Sequence, residues 1–248
     1  MSGCQAHCDE RRWLLLFDVD GTLVRCGREV GMAFFDALAR VFGPAAAARA
    51  REAAPAYSFA GRTDPRIVID LMASAGVGRA ECVACLDAVR GAYLERLAHR
   101  FDPSRTLVFP GVHALLERLA GCEHVTLALL TGNWEGGARV KLASAGLDRY
   151  FAFGAYGDDG IERRELPPVA RARARGVLGG AAAPQRVVVI GDTRHDVDCA
   201  LAHGLRVLAV ATGRDDEESL RAAGAHWVTP TLEHLPAGLP WLPAAGTS

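Results

Sequence analysis

Lysine is nearly missing from this chain. Lys141 is the only one among 28 basic side chains, and 29 acids bring the formal net charge to -1. That even balance leaves no electrostatic footprint for nucleic acid or for an anionic membrane surface. Long apolar runs are missing too. No stretch is long enough to span a bilayer, and the N-terminal "MSGCQAHCDERR" has no apolar centre of the signal-peptide kind. The seven cysteines are scattered and odd in number, which speaks for reduced thiols rather than a disulfide framework. These deficits together lead us to expect a soluble, cytoplasmic protein. Its 248 residues are 50% hydrophobic, material for a sizeable core.

Two cysteine groups need a reading of their own. Cys4, His7 and Cys8 lie close together, but a closed zinc site needs a fourth ligand, and none is near. Cys82 and Cys85 fall three apart in "RAECVACLDAVRGAYLERLAH", so they share a helical face and read as apolar packing.

Short apolar runs alternate with helical patterns through most of the chain. Strands are expected at Trp13–Asp18, His124–Leu130, Phe151–Tyr156, Arg186–Ile190 and Arg206–Ala211, and more weakly near His226–Val228. Helices are expected at Val112–Ala120, Glu135–Ala145, Pro168–Leu178, Arg194–His203 and Asp216–Ala222. Unbroken apolar strands, each followed by a helix, imply an α/β fold: a Rossmann-like parallel sheet covered by helices on both faces. The stretch 25–105 differs, with helical patterns and no clear strand. It reads as a small all-helical domain inserted into a core made of 1–24 and 106–248. The tail from Pro236 to Ser248, rich in Pro, Gly and Ala, is expected to be loosely held.

Ligands of an open parallel sheet bind beyond the carboxyl ends of its strands. Here those ends are polar. The first delivers Asp18 and Asp20 in "LLLFDVDGTL", the second Thr131, Gly132 and Asn133 in "LLTGN", and the fourth Asp192 and Asp196 in "VVVIGDTRHD". "GIERREL" adds Arg163 and Arg164. Acids and hydroxyls at one edge suit a hard divalent ion and a phosphate. An Asp carboxylate can act as nucleophile on phosphorus, and a second acid can move protons. A hydroxyl, backbone N–H groups and an arginine can stabilise the transferring phosphoryl group.

"FDVDGTL", "LLTGN" and "IGDTRHD" resemble the first, second and fourth motifs of the haloacid dehalogenase-like hydrolase superfamily, and the helical insert is similar to the cap of its phosphoglycolate phosphatase-like branch. The resemblance implies a Mg²⁺-dependent phosphatase acting on a small phosphorylated metabolite. Asp18 is then the nucleophile and Asp20 the general acid and base. Thr131, Gly132, Asn133 and Arg163 bind phosphate. Asp18, Asp20 (through its backbone carbonyl) and Asp192 hold the metal, with Asp196 supporting its waters. The family's third motif usually carries a lysine. Lys141 is expected about two turns into a helix, pointing away from the strand ends, so Arg163, with Arg164 second, stands in for it. In "FAGRTDPRIV", Arg62, Thr63 and Asp64 resemble the cap loop that faces the substrate, while Asp64 and Pro65 also fit an N-cap and first helical position. Arg62 is expected to be free for an anionic substrate. A phosphomutase of the same fold stays open. A dehalogenase has no use for Asp20, and a non-catalytic binding protein none for the full set of acids.

Overall fold

The computed structural model describes residues 12–242. Six parallel strands form its sheet: β1 (Trp13–Phe17), β4 (Val125–Leu130), β5 (Gly154–Ala155), β6 (Val187–Gly191), β7 (Arg206–Val210) and β8 (Trp227–Thr229), in the order β5-β4-β1-β6-β7-β8. The central strand pairs on both sides, with Leu16 opposite Ala128 and Val189. Alternation of side chains along a strand explains its apolar run. Leu15 and Phe17 pack to one face with α5 (Val112–Ala120) and α6 (Glu135–Ser144). Leu14 and Leu16 pack to the other with α7 (Leu166–Leu178), α8 (Arg194–Leu201) and α9 (Glu217–Ala222). Both faces are dry, so every position of β1 must be apolar.

Four helices lie between β1 and α5: α1 (Glu29–Phe42), α2 (Pro44–Ala53), α3 (Asp64–Ser74) and α4 (Arg79–Arg100). They enclose an apolar cluster of their own, built on Phe34, Leu38, Val68, Leu71, Met72 and Tyr93. Phe34 and Leu38 lie one turn apart on α1 and face the same way. Trp134 joins this cluster from the sheet side and stacks on Phe34 at 6.2 Å between centroids. A two-stranded antiparallel ribbon, β2 (Val24–Arg25) with β3 (Leu107–Val108), ties the two chain crossings together.

Several expectations shift. The strand expected over Phe151–Tyr156 is two residues long, because β5 is an edge that meets β4 only at Leu129 and Leu130. The helix expected from Pro168 begins at Leu166, whose prolines occupy early turns that need no N–H donor. The tail is held as far as it is described: Leu239 and Trp241 are buried in the face beside α5, an apolar anchoring that outweighs the Pro and Gly around it. Cys82 is buried and Cys85 half-buried, both as free thiols. Cys4, His7 and Cys8 lie outside the described residues. No described helix is long and apolar enough to cross a membrane.

Candidate active site

Parallel strands bring their carboxyl ends to one edge, and the acids meet there. Asp18 follows β1 directly, its N–H bonded to the Ile190 carbonyl at 2.9 Å. Asp192 follows β6, and Asp196 lies in the first turn of α8. Carboxylate oxygens of Asp18, Asp192 and Asp196 lie within 4.8 Å of one another, all three residues buried. Gly21 makes room for this: its φ is +84°, and a Cβ there would fall 2.3 Å from Asp192 Oδ2.

Among the described residues one cation is paired with the cluster. Arg163 Nη2 stands 3.2 Å from Asp18 Oδ1 and 2.5 Å from Asp196 Oδ1, and also donates to the Leu130 carbonyl at 3.3 Å. Its guanidinium, buried like the acids, is held above its ordinary pKa by Asp18 and Asp196, which outweigh the opposing effect of burial. One positive charge does not balance three carboxylates. Burial pushes the Asp18 and Asp192 carboxyls above the usual range, and neighbouring carboxylates add to it. Thr22 Oγ1 donates to Asp192 Oδ1 at 3.1 Å. Asp196 Oδ2 accepts from the Thr193 N–H and hydroxyl at 3.0 and 2.7 Å, a capping box that fixes it. Arg164 turns away to an exposed pair with Asp198.

Asp20 has a different setting. Its side chain is 46% exposed, into the cleft above the sheet. Asn133 Nδ2 donates to its Oδ2 at 2.8 Å and to Thr131 Oγ1 at 2.9 Å. Lys141 Nζ lies 2.5 Å from the same Asp20 oxygen and 2.5 Å from Asn133 Oδ1. The expectation that Lys141 points away is therefore overturned. It is the seventh residue of α6, but side chains on a helix lean toward its N-terminus, and the four-carbon stem carries the ammonium back to the strand ends. Burial alone would lower the Lys141 pKa. The Asp20 carboxylate more than reverses this, with Tyr93 and Asp64 adding to it, and the ammonium stays charged. Sequence reasoning also passed over Thr22 and Thr193. The T-x-x-D spacing of Thr193 and Asp196 was the readable signal of a capping box.

The loop before α3 presses on the same edge. Thr63, not Asp64, caps α3, accepting from Arg66 N–H at 3.2 Å and donating to the Ile161 carbonyl. Asp64 is drawn to the sheet instead. Its N–H reaches the Gly132 carbonyl at 2.7 Å, and its Oδ2 accepts from Trp134 N–H at 2.8 Å. Burial pushes its carboxyl up to about 7, against the pull of Lys141 and the Trp134 N–H. Gly132 permits this approach, since a Cβ would sit 2.1 Å from the Arg62 carbonyl oxygen. Arg62 lines the cleft but is not free: it binds the Ser58 carbonyl and Asp70, and lies over the Tyr57 ring at 5.1 Å.

The model of the haloacid dehalogenase-like hydrolases matches residues 14–204, more than half of the chain. The chain belongs to that family. This haloacid dehalogenase-like hydrolase is 32% identical over 225 residues to a phosphoglycolate phosphatase of Cupriavidus necator, covering 90% of this chain and 91% of the relative. It is 29% identical over 225 residues to a probable phosphatase of Dickeya dadantii, covering 90% and 91%. Among solved structures it is similar to CbbY from Rhodobacter sphaeroides in complex with phosphate, with a TM-score of 0.61 at 20% identity, covering 93% of this chain and 99% of that one. That likeness speaks for the fold alone. The expected superfamily and sheet architecture are met, and so is the expectation of a hydrolase.

Proposed function

We propose that this hydrolase cleaves phosphomonoesters through an aspartyl-phosphate on Asp18, that Mg²⁺ is its divalent ion, and that residues 25–105 act as a cap over the cleft. The observation that carries this reading is the convergence of Asp18, Asp192 and Asp196 around Arg163, beside an Asp20 held separately by Asn133 and Lys141. Three buried carboxylates against one guanidinium leave an excess of negative charge, and an all-oxygen donor set suits a hard cation. Asp18 and Asp192 would hold it, with the Asp20 carbonyl, and Asp196 would steady its water. When bound, the ion supplies charge neutralisation for the phosphoryl oxygens.

The residues divide the chemistry. Asp18 attacks phosphorus as the P–O bond to the alcohol breaks. Asp20 gives its proton to the departing alkoxide. In the second step Asp20 takes a proton from water as that water attacks phosphorus, the bond from Asp18 to phosphorus breaks, and phosphate leaves. Thr131 and Gly132 receive phosphoryl oxygens, and Arg163 offsets their charge. The side-chain amide of Asn133 is committed to Asp20 and Thr131, so it serves to hold the acid. Phosphatases among the relatives support the ester as substrate class. Hydrolysis of an aryl phosphate should cease with chelator and return with Mg²⁺, and titration calorimetry should show one Mg²⁺ bound, weakened by Asp192→Asn. Full activity in excess chelator contradicts the reading.

A further inference from the structure

Above the acids the cleft changes character. It is a cavity of about 730 Å³, continuous from Asp18 and Asp20 up into the helical unit. Its upper walls are Val30, Phe34, Phe35, Phe59, Ile67 and Tyr93. Phe59 is 38% exposed, its ring set edge-on to Tyr57 at 5.1 Å, in a cleft where most large apolar side chains are buried. Among the described lining residues the acids are only Asp18, Asp20, Asp64 and Asp192, and each belongs to the floor or to the loop pressed on it. The walls therefore offer a bound molecule rings and aliphatic surface, with the exposed Arg25, Arg51 and Arg214 beside them.

The cations bear on the same question. Lys141 is taken up by Asp20 and Asn133, and Arg163 by Asp18 and Asp196. Arg62 is taken up by Asp70 and the Ser58 carbonyl. Arg25, Arg51 and Arg214, all exposed, line the cleft as well: Arg25 donates to the Thr212 carbonyl at 3.4 Å and Arg51 lies over the Phe35 ring at 4.7 Å, so the cations alone do not decide the body of the substrate, and its size must. A two-carbon body would leave the rings wet, whereas clefts of about 300–1,000 Å³ lined this way enclose far larger ligands. Covering apolar wall with apolar ligand is favourable in proportion to the area removed from water. Aromatic rings pair well edge-to-face, as Phe34 and Tyr93 already do at 5.9 Å.

We propose that the substrate is the phosphomonoester of a bulky, largely apolar and aromatic alcohol, seated against Phe35 and Phe59, rather than of a short hydroxy acid. This rests on the phosphatase reading above and adds the body of the substrate to it. The test compares 2-phenylethyl phosphate, ethyl phosphate and 2-phosphoglycolate at saturating Mg²⁺. All three release a primary alcohol, so the leaving groups differ little. We expect kcat/KM for 2-phenylethyl phosphate to exceed that for ethyl phosphate on the order of 10–100-fold, the gain from burying a phenyl-sized group. Phe59→Ala, at an exposed position where folding is not at stake, should shrink that ratio about 3–10-fold. Equal kcat/KM for the three, preference for phosphoglycolate, or a ratio untouched by Phe59→Ala overturns the inference and leaves the phosphatase standing. No turnover of any ester overturns both.

Discussion

Lys141→Met separates what the site is made of from how it is held. Methionine keeps the unbranched apolar stem and removes the ammonium. That ammonium belongs to a side chain 4% exposed and donates to Asp20 and Asn133 at 2.5 Å each. Hydrogen bonds to charged groups contribute about 1.5–3 kcal/mol, and breaking a buried ion pair costs about 3–5 kcal/mol when the remaining charge stays buried. Here Asp20 is 46% exposed and water can replace the ammonium, while the desolvation of the lysine is relieved. The stability loss is then at the low end, about 1–2 kcal/mol, which lowers Tm by roughly 2–8 °C in a chain of this size. Activity should suffer more, because Asp20 keeps only the Asn133 bond. Complete loss of a general acid–base group costs about 10²–10⁴-fold, and a loosened one less, so kcat/KM should fall about 10–100-fold. Groups that act as a unit are not additive. The double variant Asp20→Asn/Lys141→Met should be no slower than Asp20→Asn alone. The assay is steady-state hydrolysis of an aryl phosphate, with Tm from calorimetry. Additive losses in the double variant, or Lys141→Met within about twofold of wild type, would refute the idea that Lys141 works through Asp20.

Asp64→Asn tests the junction between loop and sheet by pH. With its carboxyl pushed up to about 7, the native state keeps a proton that the unfolded chain releases near the ordinary value of 3.8. Stability of the wild type therefore falls as pH rises from about 4 to about 7 and stays lower above. Asparagine can still accept from Trp134 N–H and carries no charge, so its Tm should exceed wild type at pH 8 by a few degrees, with the gap closing toward pH 4; a gap that widens on acidification contradicts this. Gly132→Ala places a Cβ 2.1 Å from the Arg62 carbonyl oxygen and 2.8 Å from Thr63 Cα, both backbone atoms that cannot swing aside. Overpacking of this kind costs about 1–3 kcal/mol, so we expect a lower Tm together with reduced kcat/KM, and an unchanged Tm would show that the loop is not held there.

Much of this was legible from pattern. β1 and β6 carry no polar side chain, β4 and β7 only Thr126 and Arg206 near their starts, and such runs stand out in any order of reading. The acids announced themselves by interrupting those runs. What escaped depends on packing or reach. The helix α2 is built on Ala46, Ala47 and Ala50, residues too small to mark a face, and its "AAAA" reads as low complexity. Thr63 and Asp64 are both good caps, and only the Trp134 N–H decides which one is drawn away. Leu239 and Trp241 are two anchors in a stretch whose composition signals a loose end. Lys141 was misjudged because helical spacing locates a Cα, whereas a lysine acts at the end of a long stem. The place between the second and fourth strand ends offered Arg163 and Arg164 alike, and the family resemblance put Arg163 first; its partners, Asp18 and Asp196, emerge only when the sheet closes.

The central claim is that Asp18 carries the phosphoryl group and Asp20 moves the protons. Asp20→Asn keeps the nucleophile, the side-chain size and the Arg163 pair, and removes the proton-transfer group together with the negative charge that faces Lys141. With 4-nitrophenyl phosphate the leaving group needs little acid help, so the first step should proceed while hydrolysis of the aspartyl-phosphate stalls. Intact-protein mass spectrometry after mixing with Mg²⁺ and this ester should show a phosphate adduct that maps to Asp18, absent from Asp18→Asn/Asp20→Asn. An adduct on another residue, or near wild-type turnover by Asp18→Asn, would contradict the account.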